Sequence, residues 1–405
     1  MTEPAARLKR SPVSQARRGA ESRAARAVRL EVDGYNALPR LVMGIRMGLK
    51  WSLLRTSLAV TFVLAAAPVP PSNAATVPDL YTVTVVPDPA ARDQRAAGIR
   101  AAMAQLLVRV TGSRNAPLDP AAQRLLAAPD EFLSSYGLDR QGRAVVGFQR
   151  GPVERVLDGL GLPVWGPERP LTLLWVAIDD GVGGRALLGA NETSELGVAT
   201  TAQMTALLAT VREEVVAAAD ERGLPIAWPL LDLEDLNAVT FTDVWGGFDD
   251  RVVAASTRYR ADAVLIGRVR PGLTGHEVEW LFVHGVERQA LPAARVRDGL
   301  DVAADRYAAE LSTIGGATTT SLTVRDVMTP ADYGRVMSYL ERQSALERVD
   351  VEAYGNGTLS LRIAARGDAR VLERQLALGG VLRPAAGVGA LGSLTFEMVG
   401  GGAPP

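Results

Sequence analysis

The sequence predicts an α/β and α+β protein of several modules: a small N-terminal α/β unit, a central α/β unit and a C-terminal ferredoxin-like split βαβ unit. Three observations lead there. Strand-like and helix-like segments alternate from Leu80 to Leu311, glycine-rich breaks fall at Gly181–Gly189 and Gly315–Gly316, and the remaining segments read strand–helix–strand–strand–helix–strand. The expected units are residues 75–180, 190–314 and 317–401.

In the first unit, Leu80–Val86 alternates and is rich in β-branched residues, which predicts a strand. Ile99, Met103, Leu106, Leu107 and Val110 recur at helical spacing, with Gly112 placed to cap the helix. A short helix near Pro120–Ala128, a strand Ala144–Gln149, a helix near Val153–Leu160 and a buried strand Leu171–Ile178 complete it. The central unit opens with a helix carrying Met204, Leu207, Leu208, Val211 and Val215 on one face. Beyond it come a helix near Arg251–Tyr259, the apolar run ADAVLIGRV, a strand Glu277–Val283 and a helix Asp301–Leu311. The alternation favours a partly parallel sheet. In the last unit, strands Ser321–Val327, Arg348–Tyr354, Thr358–Ala364 and Leu394–Met398 enclose two helices, one with Tyr333, Val336, Met337 and Leu340 inward, the other with Val371, Leu372 and Leu376. Gly355-Asn356-Gly357 predicts a tight hairpin turn between two of these strands. Such a unit is expected to fold on its own.

Composition narrows the chemistry. Hydrophobic residues at 47% and charged residues at 22% suit a soluble fold with a packed core. The absence of cysteine excludes disulfides, thiolate metal sites, a cysteine nucleophile and a lipoprotein-type anchor.

Residues 43–74 predict a secretory signal peptide. Lys50 and Arg55 precede an apolar run Leu58–Ala67, which Pro68, Pro70 and Pro71 end before it is long enough to span a bilayer, and Ser72 and Ala74 occupy small-residue cleavage positions. Cleavage is expected after Ala74, with a periplasmic product; an uncleaved leader would instead anchor the chain in the inner membrane by residues 56–77. Residues 1–42 read as a non-native, disordered extension, because the signal is complete without them. Residues 1–74 hold 12 Lys and Arg against 4 Asp and Glu, which leaves 32 basic and 41 acidic residues, a formal net charge of −9, in the mature chain. No clustered basic patch remains to neutralise phosphates, so nucleic-acid binding is not expected.

Candidate ligand-binding residues are few. Asp179 and Asp180 follow an apolar strand, a place where open α/β sheets bind ligands, and the GVGGR after them suggests an anion-binding backbone nest. Turn formation explains the same residues. Asp232, Glu234 and Asp235 form an acidic cluster open to a metal or acid–base reading, but they lack the glycine and distal glutamate of a calcium loop and suit a helix start equally well. Trp175, Trp228, Trp245 and Trp280 are core candidates, with Trp245 the sharper candidate for an aromatic-lined pocket. His276 and His284 stand roughly 26 Å apart on an extended strand, too far to share an ion. No nucleophile elbow or P-loop occurs, and neither a catalytic residue, a metal nor a cofactor is expected.

LLVRVTG (Leu106–Gly112), GLPIAWPLLDLED (Gly223–Asp235), DVWGGF (Asp243–Phe248), RYRADAVLIGRV (Arg258–Val269) and PADYGRVMSYL (Pro330–Leu340) together resemble the bacterial family called domain of unknown function 2066. The resemblance implies an exported protein of Gram-negative bacteria and supplies no catalytic residues. The functional expectation is a noncatalytic periplasmic binding or assembly module for a protein partner or envelope component. The alternative is an envelope hydrolase or small-ligand-binding enzyme using Asp179, Asp180, Asp232, Glu234 and Asp235.

Overall fold

A computed structural model of the chain describes residues 75–190, 201–272, 275–385 and 393–400. The expected leader and the extension before it lie outside these residues. Among them, the chain is a mixed α/β structure built on three principal sheets and a short two-stranded ladder. No helix of the described residues is long and apolar enough to cross a membrane.

The N-terminal part comprises β1 (Ala75–Thr76), β2 (Thr82–Val85), α1 (Gln94–Thr111), α2 (Gln123–Ala127), β3 (Leu133–Leu138), β4 (Ala144–Phe148), α3 (Arg150–Gly159) and β5 (Glu168–Arg169). Strands β2, β4 and β3 form an antiparallel sheet, and β1 pairs with β5. Ile99, Met103, Leu106, Leu107 and Val110 lie fully buried along α1 against Val83, Val146 and Phe148, so the helical spacing has its core partner. Helix α1 stops at Gly112, whose left-handed φ of 70° suits glycine and whose missing Cβ leaves space for Ala308 and Trp165.

The central part comprises β6 (Thr172–Asp179), β7 (Arg185–Leu188), α4 (Ala202–Arg222), β8 (Ile226–Ala227), α5 (Leu233–Ala238), α6 (Phe241–Trp245), α7 (Asp249–Ser256), β9 (Ala263–Gly272), β10 (Gly275–His284), β11 (Glu287–Ala294) and α8 (Val296–Leu311). The sheet runs β11-β10-β9-β6-β7, with β6 parallel to β9 and β8. Strand β6 was expected to close the first unit, but it stands inside the central sheet. Its residues from Thr172 to Ile178 are buried on both faces, and only a sheet covered on both sides accommodates such a strand. Helices α4 and α8 cover one face around Val176, Trp280 and Tyr307; α5, α6 and α7 cover the other around Trp175, Val244 and Ile266. Trp280 fits where Gly267 and Gly299 lack side chains.

The C-terminal part comprises β12 (Ala317–Arg325), α9 (Pro330–Arg342), β13 (Leu346–Gly355), β14 (Thr358–Arg366), α10 (Ala369–Leu378), β15 (Leu382–Pro384) and β16 (Ser393–Met398). The order is β13-β14-β12-β16-β15. Asn356 and Gly357, at φ 51° and 70°, make the expected turn. The split βαβ expectation holds through α10 and then needs revision. The added strand β15 reverses the chain, so β16 runs parallel to β12 where a split βαβ unit has the last strand antiparallel. Leu340, Val336, Leu372 and Leu376 of the two helices cover the face carrying Leu322, Leu361, Ile363 and Phe396.

Three arginines join the first two parts. Arg169 on β5 has no exposed surface, and its guanidinium lies 3.8 Å from the Trp165 ring centroid. Nε donates to the Gly166 carbonyl at 2.9 Å, Nη1 to those of Arg222 and Gly223 at 2.8 and 2.9 Å, and Nη2 to those of Arg109 and Trp165 at 2.7 and 3.0 Å. Burial and the neighbouring Arg109 push its pKa downward. Five acceptors nevertheless require five N–H donors, which only the protonated guanidinium has. Three of those carbonyls, of Arg109, Arg222 and Gly223, lie at the C-terminal ends of α1 and α4, where the helix dipole favours a cation. Arg109 reaches the Thr82 and Asp220 carbonyls, while Arg222 bonds the Gly112 carbonyl and the Asp301 and Asp305 carboxylates of α8. Gly223, at φ 61°, is glycine for a second reason: a Cβ would stand 2.7 Å from Arg169 Nη1.

Replacing Arg169 with Met should therefore cost about 3–5 kcal/mol: it strands buried carbonyls at about 1–3 kcal/mol each, partly offset by relief of the guanidinium's desolvation. Arg383→Ala, which removes an exposed bridge to Glu397, should cost less than about 1 kcal/mol. Urea denaturation of both variants is the measurement, and similar small losses would contradict the role given to Arg169.

Candidate functional site

Asp179 and Asp180 form the turn between β6 and β7. Asp179 accepts from the Gly181 N–H and from Arg185 Nε, each at 2.9 Å, and the first of these is the larger cause holding its carboxyl below the usual carboxylate range. One oxygen of buried Asp180 accepts from the N–H groups of Val182 and Gly184 at 2.9 and 2.7 Å. The backbone donors expected to cradle an anion, the N–H groups of Gly181, Val182 and Gly184, are thus engaged by the protein's own carboxylates. The remaining oxygen, Oδ2, is enclosed without a donor among the described residues, packed against Gly184 where a Cβ would overlap it.

The acidic cluster closes on itself in the same way. Asp232 caps α5 by accepting from the Asp235 N–H at 3.0 Å, and Arg258 clamps both its oxygens at 2.8 and 2.9 Å. Arg258 also donates to Asp235 at 2.9 Å and stands 3.3 Å from Glu234. Buried Asp235 accepts from the Leu231 N–H at 2.9 Å and from the Tyr259 hydroxyl. Burial, then that bond to Asp235, raises the Tyr259 pKa. Every carboxylate of the cluster meets a cation or donor, and among the described residues no group of three His, Asp or Glu is arranged to hold a metal. His276 and His284 sit at opposite ends of β10, the first 3.9 Å from Glu214, the second edge-on to Tyr307.

Trp245 meets different surroundings. It stacks on Phe241 at 5.4 Å between centroids with an 18° interplanar angle, and Arg185 approaches the Phe241 ring at 5.7 Å. Since Arg185 also holds Asp179, the fold assembles Asp179, Arg185, Phe241 and Trp245 into one continuous surface on α6 and the β6–β7 hairpin. Phe248, just beyond α6, is 58% exposed. The Thr240–Asp243 capping box fixes the start of α6, and Arg268 bonds the Val244 carbonyl at 2.7 Å. The aromatic side chains therefore rise from a rigid base. Asp232 and Asp235 share no bond with this surface among the described residues.

Sequence reading named Trp245 but missed its partners Phe241 and Arg185, which are 56 residues apart in sequence and meet only when α6 packs beside the β6–β7 hairpin. A second cleft was missed entirely. It lies between the β1–β5 ladder and the ends of α9 and α10, with Glu168, Tyr339, Arg342 and Gln375 in its walls.

A family model described as "Domain of unknown function (DUF8605)" matches residues 74–166. That match replaces the expected resemblance to domain of unknown function 2066. Much of what carried the earlier likeness is core sequence: LLVRVTG is the buried end of α1 and ADAVLIGRV is mostly β9, apolar runs that many α/β cores share. No curated protein and no solved structure matches the chain.

The Asp232–Arg258 pair yields a signed pH dependence. The hydrogen bond from Arg258 is the first cause holding the Asp232 carboxyl well below its ordinary range. Its folded pKa lies below the unfolded value of about 3.9, so the pair's contribution is complete above roughly pH 4 and fades as pH falls through the folded pKa. Asp232→Asn keeps a competent helix cap and removes the charge. Its urea midpoint should fall below wild type at pH 7, with the gap narrowing in acid; a gap independent of pH would contradict the assignment.

Proposed function

We propose that the chain is a noncatalytic binding or assembly module of the cell envelope, exported by residues 43–74 and released after Ala74, that engages a protein partner through the Phe241–Trp245 surface. One observation carries this reading. Two stacked aromatic rings on α6, Arg185 reaching over from β7 and the exposed Phe248 just beyond α6 include the aromatic and arginine residue types that dominate binding energy at protein interfaces. The proposed occupant is a protein that places aliphatic or aromatic side chains against these rings. Arg185, already oriented by Asp179, offers hydrogen bonds at the rim.

The carboxylates weigh against the hydrolase alternative. Asp232, Glu234 and Asp235 all contact Arg258, and Asp179 and one Asp180 oxygen shape a turn, so each of them is already paired within the fold. The charge of the proposed mature chain, −9, argues for a partner other than nucleic acid.

Gentle crosslinking in the envelope fraction, followed by purification, should recover a reproducible protein partner. Trp245→Ala and the surface change Phe248→Ser should each lower that recovery at least about tenfold, a loss of about 1.4 kcal/mol in binding. Undiminished recovery with both folded variants would overturn the surface assignment. Export has its own measurement: periplasmic protein should yield Ala75 as its first residue, and a species retaining Met47 would replace release with anchoring.

A further inference from the structure

The second cleft is independent of the aromatic surface and of the function proposed for it. It encloses about 390 Å³, within the size range of small-molecule sites. Its walls come from three directions: Thr76 and Glu168 from the β1–β5 ladder, Tyr339 and Arg342 from the last turns of α9, and Gln375 and Gly379 from the end of α10.

The inner wall is rich in acceptors. Gln343 and Gly379 are the C-caps of α9 and α10, so two helix ends carrying partial negative charge meet at this cleft. Glu168 adds a full negative charge, held in place by the N–H and hydroxyl of Ser344. Gln375 is 8% exposed, and its Nε2 donates to the Leu311 carbonyl at 2.7 Å, which fixes which end of the amide is which. Its Oε1 is then an enclosed acceptor with no donor among the described residues. The Tyr339 hydroxyl donates to the Leu376 carbonyl at 2.8 Å. Gly379 gives the Tyr339 ring its position, since a Cβ there would overlap it.

The outer wall has the opposite sign. Arg342 is exposed at the cleft and forms no ion pair among the described residues. Acceptors within and a lone cation beside them call for a ligand with several N–H donors at one end and an anion at the other. An ammonium carries three donors and satisfies acceptors that a neutral or anionic head would leave unpaired.

We propose that this cleft binds a small zwitterion of the amino-acid or short-peptide class, its ammonium received by Glu168 and Gln375 and its carboxylate directed to Arg342. Calorimetric titration of the purified full chain with alanyl-alanine tests this. Saturable binding with Kd below about 1 mM is expected, equivalent to about −4 kcal/mol. N-acetyl-alanyl-alanine, which lacks the ammonium, should bind at least about tenfold more weakly, and alanyl-alanine amide should weaken severalfold.

Arg342→Ala, a change at an exposed position, should reproduce the loss seen on amidation and add nothing further with the amide. Acetylated and free dipeptide binding equally, or no saturable heat with any of the three at about 10 mM, would overturn the proposal. An Arg342→Ala protein that binds alanyl-alanine as wild type does would overturn the assigned orientation.

Discussion

A charged guanidinium enclosed by protein needs an acceptor for each of its five N–H groups, and Arg169 finds all five among backbone carbonyls. Those carbonyls are not scattered. Most belong to the buried C-terminal ends of two long helices, α1 and α4, whose last carbonyls have no partners inside their own helices. One cation therefore answers two helix dipoles and ties the N-terminal core to the central sheet. Arg222 extends the contact to α8 through Asp301 and Asp305, so the helices covering one face of the central sheet are fixed to the same point.

The consequence reaches the second cleft through strand geometry. Glu168 and Arg169 are the two residues of β5, and successive side chains on a strand point to opposite sides. With Arg169 held inward, Glu168 turns to the other side, where it meets Ser344 and lines the cleft. The C-terminal sheet is secured nearby by Arg366, which faces Glu154 and Asp158 of α3 at 3.2 and 3.1 Å, and by the bond from Gln375 to Leu311. Burial raises the Asp158 pKa despite Arg366, just as it pushes the Arg169 pKa downward, so both junctions carry a desolvation cost that their hydrogen bonds and ion pairs offset.

Local signals were legible and long-range ones were not. Helix α1 announced itself by apolar spacing and a capping glycine, and Gly355-Asn356-Gly357 announced its turn, because both depend on neighbours in sequence. The carboxylates of Asp179, Asp180, Asp232 and Asp235 were legible as residues but ambiguous in role; only the positions of Arg185, Arg258 and Tyr259 decided that they brace turns and helix starts. Arg169 was invisible, since its acceptors are carbonyls that every residue carries, some of them 53 to 60 positions away. The one available hint was a basic residue in the last turn of both α1 and α4, each followed by a glycine in the left-handed region. Strand β15 was missed because three residues with a proline give no alternation to read.

If five carbonyls hold Arg169, rotation about its Cζ–Nη bonds must be hindered and its protons must be shielded from water. Nitrogen-15 NMR of protein labelled in arginine measures both directly. The account predicts separate, slowly exchanging Nη signals for Arg169, identified by their loss in the Arg169→Met protein. A single averaged, rapidly exchanging signal like that of a surface arginine would contradict it.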